Sequence, residues 1–371
     1  MLKSLAVILL ICSFITSAVL TTAVRYFATR FDFVARPSGD RYHRSIIPLG
    51  GGIAIYANIT AALIAAVLIV RFAVAPGHLD KVLGPAVTIH AKGFIDKIPH
   101  LLIVILCITA LFALGLWDDK KHLGPYIKLL VQFVVALLAA VAADVRVEFF
   151  IENKIITSVI SAFWIVLIIN AFNFLDNMDG ASAGIAVIAI AILFVAAATG
   201  GQVFVGAMAL LFIGTLLGFL VFNFPPAEIF MGDAGSLVVG FIVALLTLRT
   251  TYYHQAASGN WYPVLMPLIV MAVPLYDFIS VTLLRLIQGK SPFVGDTQHF
   301  SHRLRRRGLT ETQTVLTLYL ATLVTGLGAT FLYQVNLAGA ILIFIQTIIT
   351  LAIIAILEQS LPQSPKDPKD F

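Results

Sequence analysis

The sequence predicts an all-α, polytopic integral membrane protein of about 11 transmembrane helices, with a candidate active site at its cytoplasmic face. Three observations carry this. Of 371 residues, 60% are hydrophobic and 12% charged, and mean hydropathy is +0.99; soluble domains carry about 25% charged residues. The apolar residues gather in repeated runs of about 20, enough to cross a hydrocarbon core as helices. Basic residues collect in the loops on one side of those runs. Cys12 and Cys107 both lie inside apolar runs, which argues against a disulfide framework and a zinc site. The formal charge of +5 reads as loop charge that orients the chain in a bilayer, and not as a nucleic-acid surface.

Taken in order, the expected spans lie near 4–24, 50–72, 100–117, 125–143, 156–172, 182–199, 203–222, 235–253, 262–287, 312–333 and 335–357. Met1-Leu-Lys3 and the run to Val24 resemble a signal peptide. The run is long, has no clear small-residue cleavage site and leads into basic residues, so it reads as a retained first helix. Arg25, Arg30, Arg36, Arg41 and Arg44 follow it. Lys120, Lys121 and Lys128 follow the third span, and Arg285, Lys290, Arg303, Arg305, Arg306 and Arg307 surround the end of the ninth. With Lys366 and Lys369, 16 of the 24 basic residues fall on one side. The positive-inside rule makes that side cytoplasmic and puts the N-terminus outside. Residues 73–99, with Gly93 and Pro99, read as the longest loop of the far side, and its histidines as solvated. Residues 1–358 form one transmembrane domain and 359–371 a short Pro-rich, charged cytoplasmic tail.

Every notable polar cluster lands on the cytoplasmic side. Asp118-Asp119 end the third span. Asn170-Ala-Phe-Asn-Phe-Leu-Asp-Asn-Met-Asp-Gly180 ends the fifth, with Asn170, Asn173 and Asn177 spaced for one helix face and Asp176 and Asp179 beside it. Asn223–Ser236 ends the seventh and carries Asp233 between small residues; Asp233 also suits an N-cap whose free amides would favour phosphate. Asp296–Arg303, with His299 and His302, follows the ninth. Ionisable groups at membrane depth are expensive and mark function by default. Each cluster alone also fits a solvated helix end. Adjacent carboxylates at Asp118 and Asp119 repel, so one needs a cation or a proton. Oxygen ligands of this kind suit Mg²⁺ or Mn²⁺, and carboxylates, basic groups and histidines together suggest chemistry on phosphate. Gly50, Gly51 and Gly52 match no phosphate-loop or dinucleotide pattern and read as a bend for close helix packing.

At this point the chain resembles the polyprenyl-phosphate N-acetylhexosamine-1-phosphate transferases (glycosyltransferase family 4). The likeness runs through Pro48-Leu-Gly-Gly-Gly52, Gly115-Leu-Trp-Asp-Asp119, Asn170–Gly180, Asn223–Ser236 and the His299/His302 loop. It implies transfer of an N-acetylhexosamine 1-phosphate, GlcNAc-1-phosphate first among them, from a UDP-sugar to undecaprenyl phosphate. UMP is released, Mg²⁺ (or Mn²⁺) assists, and a lipid-linked envelope glycan is started at the inner membrane. Carried over by motif, Asp118 and Asp119 are catalytic, and Asn173 and Asp233 are metal-linked. Asp176 and Asp179 support the nucleotide, Lys128 holds a phosphate, and His299, His302 and Arg303 contact the donor. The implied partners are the two substrates and the bilayer; oligomeric state is left open, a homodimer included. Two departures stand out. Lys120-Lys121-His122 replaces a frequent third acid, and Ser301 stands where relatives commonly have histidine. Without three consecutive histidines, the chain sits nearer the WecA/TagO-like members using plain UDP-sugars than the MraY-like enzymes using a muramyl-peptide donor.

Two other classes fit the sequence less well. A secondary transporter places its polar residues in broken helices near the midplane, whereas these sit at helix ends. A CDP-alcohol phosphotransferase needs an Ala-Arg pair and two later aspartates after Asp179-Gly180, and Ala-Ser-Ala-Gly184 follows instead.

Overall fold

Each apolar run closes its own backbone hydrogen bonds as a helix, the condition a chain must meet in hydrocarbon. The computed structural model describes residues 2–35, 46–79, 84–147, 151–250, 252, 260–291 and 299–360, excluding the side chains of 86, 300, 302, 359 and 360. Arg36, Arg41, Arg44, Asp296, the His302 side chain and the tail from 361, with Lys366 and Lys369, lie outside the described residues. In chain order the helices are α1 (Leu2–Arg30), α2 (Gly51–Ile69, prolonged by a π turn to Val74), α3 (Ala91–Lys121), α4 (Pro125–Ala142), α5 (Lys154–Leu175), α6 (Ala181–Thr199) and α7 (Val203–Asn223). There follow α8 (Asp233–Arg249), α9 (Met266–Val270), α10 (Ala272–Ile287), α11 (Phe300–Arg306), α12 (Glu311–Thr330) and α13 (Leu337–Ser360). A pair of two-residue strands, Val34–Ala35 and Ile47–Pro48, is the exception to the all-helical expectation.

Among the described residues, α1 to α7, α12 and α13 are each long and apolar enough to span a membrane. The expected span 262–287 is α9 and α10, bent by 64°. Pro274 lacks the amide that would bond Val270, which accounts for the break at Met271. The expected span 235–253 is α8, 17 residues long, or about 26 Å at 1.5 Å per residue. All eleven expected spans thus have a helix. The far-side loop was placed too long: α3 begins at Ala91 and runs through Gly93 and Pro99. Pro99 gives up one hydrogen bond there, and the 31-residue helix absorbs the loss.

Helix α8 is the post of the fold. Every residue from Ala234 to Thr247 is buried, and α2, α3, α5 and α6 pack around it. Further out, α1 lies along α7. A Cβ on Gly214 or Gly218 would come within 2.6 Å of Leu10 O or 2.4 Å of Phe14 O, so these small residues let the two backbones meet. Polar side chains join the same seam. Ser13 donates to Leu211 O at 2.7 Å, Asn58 Nδ2 to Thr215 Oγ1 at 2.7 Å, and Thr16 to Asn58 Oδ1 at 2.6 Å. Without water, such groups must satisfy one another.

Candidate functional site

The site is assembled at the N-terminal end of α8, where the polar ends of α3, α4, α5 and α7 converge. Helix α3 stops at His122, which takes a left-handed conformation with φ 47°. Asp118 Oδ1 accepts the Leu123 amide at 2.6 Å, and its Oδ2 accepts Lys128 Nζ, from the first turn of α4, at 2.9 Å. The same ammonium contacts Asp233 Oδ2. Lys128 therefore joins three helices by one charge.

Asp119 points elsewhere. Its Oδ1 accepts the Asp233 amide at 2.9 Å and its Oδ2 the Ala234 amide at 3.1 Å. The N-cap position of α8 is Gly232, with φ 69° and no side-chain cap. The expectation that Asp233 caps this helix and leaves its amides for phosphate is therefore corrected: Asp119 takes two of them from across the interface. We predict that Asp119→Ala lowers stability by about 1–2 kcal/mol, the usual worth of an N-cap. Thermal unfolding of the detergent-solubilised protein checks this; an unchanged midpoint would remove the capping role.

The Asn170–Gly180 stretch forms the facing wall. Helix α5 ends at Leu175, so the expected single helix face does not continue to Asn177. Asn170 turns to Gln132 Oε1 (2.7 Å) and Val166 O (2.8 Å). Asn173 Nδ2 donates to Asp233 Oδ1 at 3.0 Å and to Ser236 Oγ at 2.9 Å. Burial, foremost, and the charges of Asp233, Asp119 and Asp179 hold the Asp176 carboxyl well above the usual carboxylate range, against a Gly232 backbone hydrogen bond. Asp179 Oδ2 accepts the Ala227 amide at 2.8 Å. Asn223 accepts the Gly180 amide at 3.0 Å and donates to Ile229 O at 2.9 Å, while Tyr319 OH donates to Gly180 O at 2.6 Å.

The glycine triplet has the packing role expected of it. Gly50 is left-handed (φ 110°), and the Gly51 and Gly52 amides donate to Phe230 O and Met231 O, both at 2.9 Å. This fastens α2 to the loop that ends in Asp233.

Helix α11 supplies the third side. His299, at its N-cap position, is buried; its Nδ1 lies 2.9 Å from Asp277 Oδ2 and its ring meets Phe174 edge-on at 5.2 Å. Ser301 donates to Asn177 Oδ1 at 2.7 Å and so docks α11 onto the Asn170–Gly180 wall. Arg303 Nη2 donates to Ser280 Oγ at 2.9 Å, and Nε sits 3.1 Å from Glu358 Oε2 as an ion pair outside hydrogen-bond alignment. Sequence reasoning missed Asp277 and Glu358. Both are isolated acids in apolar helices, the signal that membrane depth makes informative.

Asp118, Asp119, Asp176 and Asp233 thus crowd round the ends of four helices, and Lys128 touches two of them. That excess of carboxylate suits a hard cation. Among the described residues no three Asp, Glu, His or Cys groups form a metal-holding cluster. Mg²⁺ commonly takes one or two carboxylates and completes its shell with phosphate oxygens and water, so Asp233 and Asn173 fit an ion that arrives with a diphosphate. A cavity of about 490 Å³ lined by Trp164, Thr247, Arg249 and Tyr252 lies at the opposite end of α8 and holds none of these residues.

Comparison with known proteins places the same residues in context. A family model described as glycosyl transferase family 4 matches residues 101–251, which include Asp118, Asp119, Lys128, Asn173, Asp176, Asp179 and Asp233. Over 358 residues the chain is 30% identical to a probable undecaprenyl-phosphate N-acetylglucosaminyl 1-phosphate transferase of Bacillus subtilis (strain 168), covering 94% of this chain and 91% of that protein. It is 26% identical to the undecaprenyl-phosphate alpha-N-acetylglucosaminyl 1-phosphate transferase of Yersinia pestis, covering 93% and 87%. The protein of that name from Escherichia coli (strain K12) is 26% identical over 327 residues, covering 84% and 80%.

Proposed function

The chain belongs to glycosyl transferase family 4, and from that premise we propose that it transfers N-acetylglucosamine 1-phosphate from UDP-GlcNAc to undecaprenyl phosphate, with Mg²⁺ and release of UMP. Lys128, set between Asp118 and Asp233 from three helices, is the observation that carries the reading. In the reaction a phosphate oxygen of the lipid bonds to the sugar-bearing phosphorus of the donor. The bond between that same phosphorus and the bridging oxygen breaks, and the bridging oxygen leaves with UMP. Such transfers need positioning and charge stabilisation more than covalent help. Asp118, its carboxylate aimed by the Leu123 amide, deprotonates or orients the lipid phosphate. Lys128 presents an ammonium to phosphate oxygens. Asp233 and Asn173 would hold the cation, which neutralises charge on the diphosphate leaving group. Asp119 keeps Asp233 in place by fastening the start of α8, while Asp176 and Asp179 form the nucleotide side and α11 brings His299 to the donor.

The same reading puts the site in the cytoplasm of a bacterial inner membrane. The positive-inside reading of the sequence expects 16 of the 24 basic residues on that side, and a nucleotide-activated donor is met there. A transporter is disfavoured because the polar groups gather at helix ends. The test is purified protein with radiolabelled UDP-GlcNAc, undecaprenyl phosphate and Mg²⁺. Labelled lipid and UMP are expected, with loss of both on chelation and recovery on adding Mg²⁺. Absence of UMP with every UDP-N-acetylhexosamine tried would overturn the assignment, and turnover insensitive to chelation would remove the metal.

A further inference from the structure

Helix α11 is seven residues long, far below the length at which an isolated helix holds itself together in water. Its position must come from what it touches. His299 is held by Asp277 of α10, Ser301 by Asn177 beyond α5, and Arg303 by Glu358. The last of these contacts reaches a helix that no motif marks. Glu358 is the single charged residue of α13, at the end of an uncharged run from Leu337 to Leu357. Its side chain is 8% exposed, and a carboxylate so enclosed is stable only when paired.

The pairing is built from several sides. Arg303 Nε lies 3.1 Å from Oε2 and Nη2 3.4 Å from Oε1. Tyr276 OH, on α10, stands 3.4 Å and 3.5 Å from the two carboxylate oxygens. Arg307 Nε donates to the main-chain carbonyl of Glu358 at 2.8 Å, so two arginines of one short segment grip the end of α13. Ser280 also engages the Arg303 fork, accepting from Nη2 at 2.9 Å. A guanidinium shared between a buried carboxylate and a hydroxyl is committed to the protein.

We infer that Glu358 is a positioning residue for the donor side of the site: through Arg303 it fixes α11, and with it His299 and His302. Arg303 then acts as a strut and not as a ligand of the diphosphate. The inference rests on the proposed reaction for its kinetic readout and on the geometry alone for its structural one.

The full chain carrying Glu358→Gln, which keeps the shape, or Glu358→Ala is tested in detergent. The expected result for Glu358→Ala is a KM for UDP-GlcNAc raised about 10-fold, equivalent to ~1.4 kcal/mol, with the KM for undecaprenyl phosphate unchanged and kcat little altered. Glu358→Gln falls between wild type and Glu358→Ala. Combining Glu358→Ala with Arg303→Ala adds nothing to Arg303→Ala, as expected of two groups acting through one contact. Amide hydrogen exchange over residues 299–307 quickens in Glu358→Ala while α8 is unaffected. A rise in both KM values, or additive losses in the double variant, would reduce Glu358 to a general stability role. Unchanged exchange over 299–307 would overturn the coupling itself. Wild-type protein that releases no UMP would instead sink the reaction, and the exchange measurement would then decide the coupling alone.

Discussion

Lys128→Met lowers kcat by about 10²–10³-fold. Removing one preorganised electrostatic donor from a reacting site costs about 10²–10³ in kcat, and leaving a buried ion pair without one partner adds a stability cost of about 3–5 kcal/mol. Here two carboxylates lose the same partner, since Lys128 bonds Asp118 Oδ2 at 2.9 Å and contacts Asp233 Oδ2. Their side chains are 13% and 24% exposed, so water relieves little of the repulsion. The carboxylate proposed to face the lipid phosphate and the one proposed to hold the metal are both displaced or protonated. The measurement is UMP release at saturating donor and lipid. The KM for UDP-GlcNAc is expected to move much less than kcat, because α11 and the Asp179 wall are untouched. Lys128→Arg keeps the charge but carries a wider head, and recovers only part of the loss. Wild-type turnover by Lys128→Met would show that this ammonium serves the resting structure and not the reaction.

Why this lysine was legible, and its neighbours less so, follows from what a sequence displays. Hydropathy anticipated a helix in each of the eleven expected segments, nine of which among the described residues are long and apolar enough to span a membrane, because bilayer thickness acts on composition. The boundary of α3 was misplaced because Gly93 and Pro99 are local stop signals, overridden by the cost of leaving backbone unpaired near hydrocarbon. Asp118 and Asp119 were legible as a pair in conflict. The resolution was not legible, because adjacent helix residues point about 100° apart and find different partners. One meets an ammonium ten residues on, the other two amides more than a hundred residues away. Asp277 and Glu358 show the same limit. Each is a lone acid in an apolar run, and its basic partner lies in a short segment that has no hydrophobic pattern of its own. Ser301 has a partner the sequence does not display: its hydroxyl donates to Asn177.

Gly115→Ala is the second large effect, and it needs no charge. An added Cβ would stand 2.4 Å from Asp233 O, 2.5 Å from Ala234 N and 2.5 Å from Asp233 C. All three are main-chain atoms at the start of α8, so no side-chain rotation clears the clash. Helices α3 and α8 must separate by roughly an ångström to reach ordinary contact, and overpacking of this kind costs about 1–3 kcal/mol. The functional loss is larger than the stability loss. Asp118 and Asp119 follow three and four residues after Gly115, and Asp119 holds the α8 amides at 2.9 and 3.1 Å, ordinary hydrogen-bond distances that a further ångström would break. Moving the two carboxylates against Asp233 by that much is expected to cost about 10²-fold in kcat, the usual penalty for a 1 Å misplacement in a site that works by positioning. Gly52→Ala strikes the same helix from α2, with its Cβ 2.2 Å from Gly235 N, and predicts the same outcome. The control is Gly93→Ala. It lies on the far-side part of α3, where the nearest atom to a new Cβ is 3.9 Å away, and alanine there raises helix propensity by up to ~1 kcal/mol. Equal losses in Gly93→Ala and Gly115→Ala would mean that α3 resists any added methyl; a loss confined to Gly115→Ala and Gly52→Ala means that backbone contact between α2, α3 and α8 sets the geometry of the carboxylates.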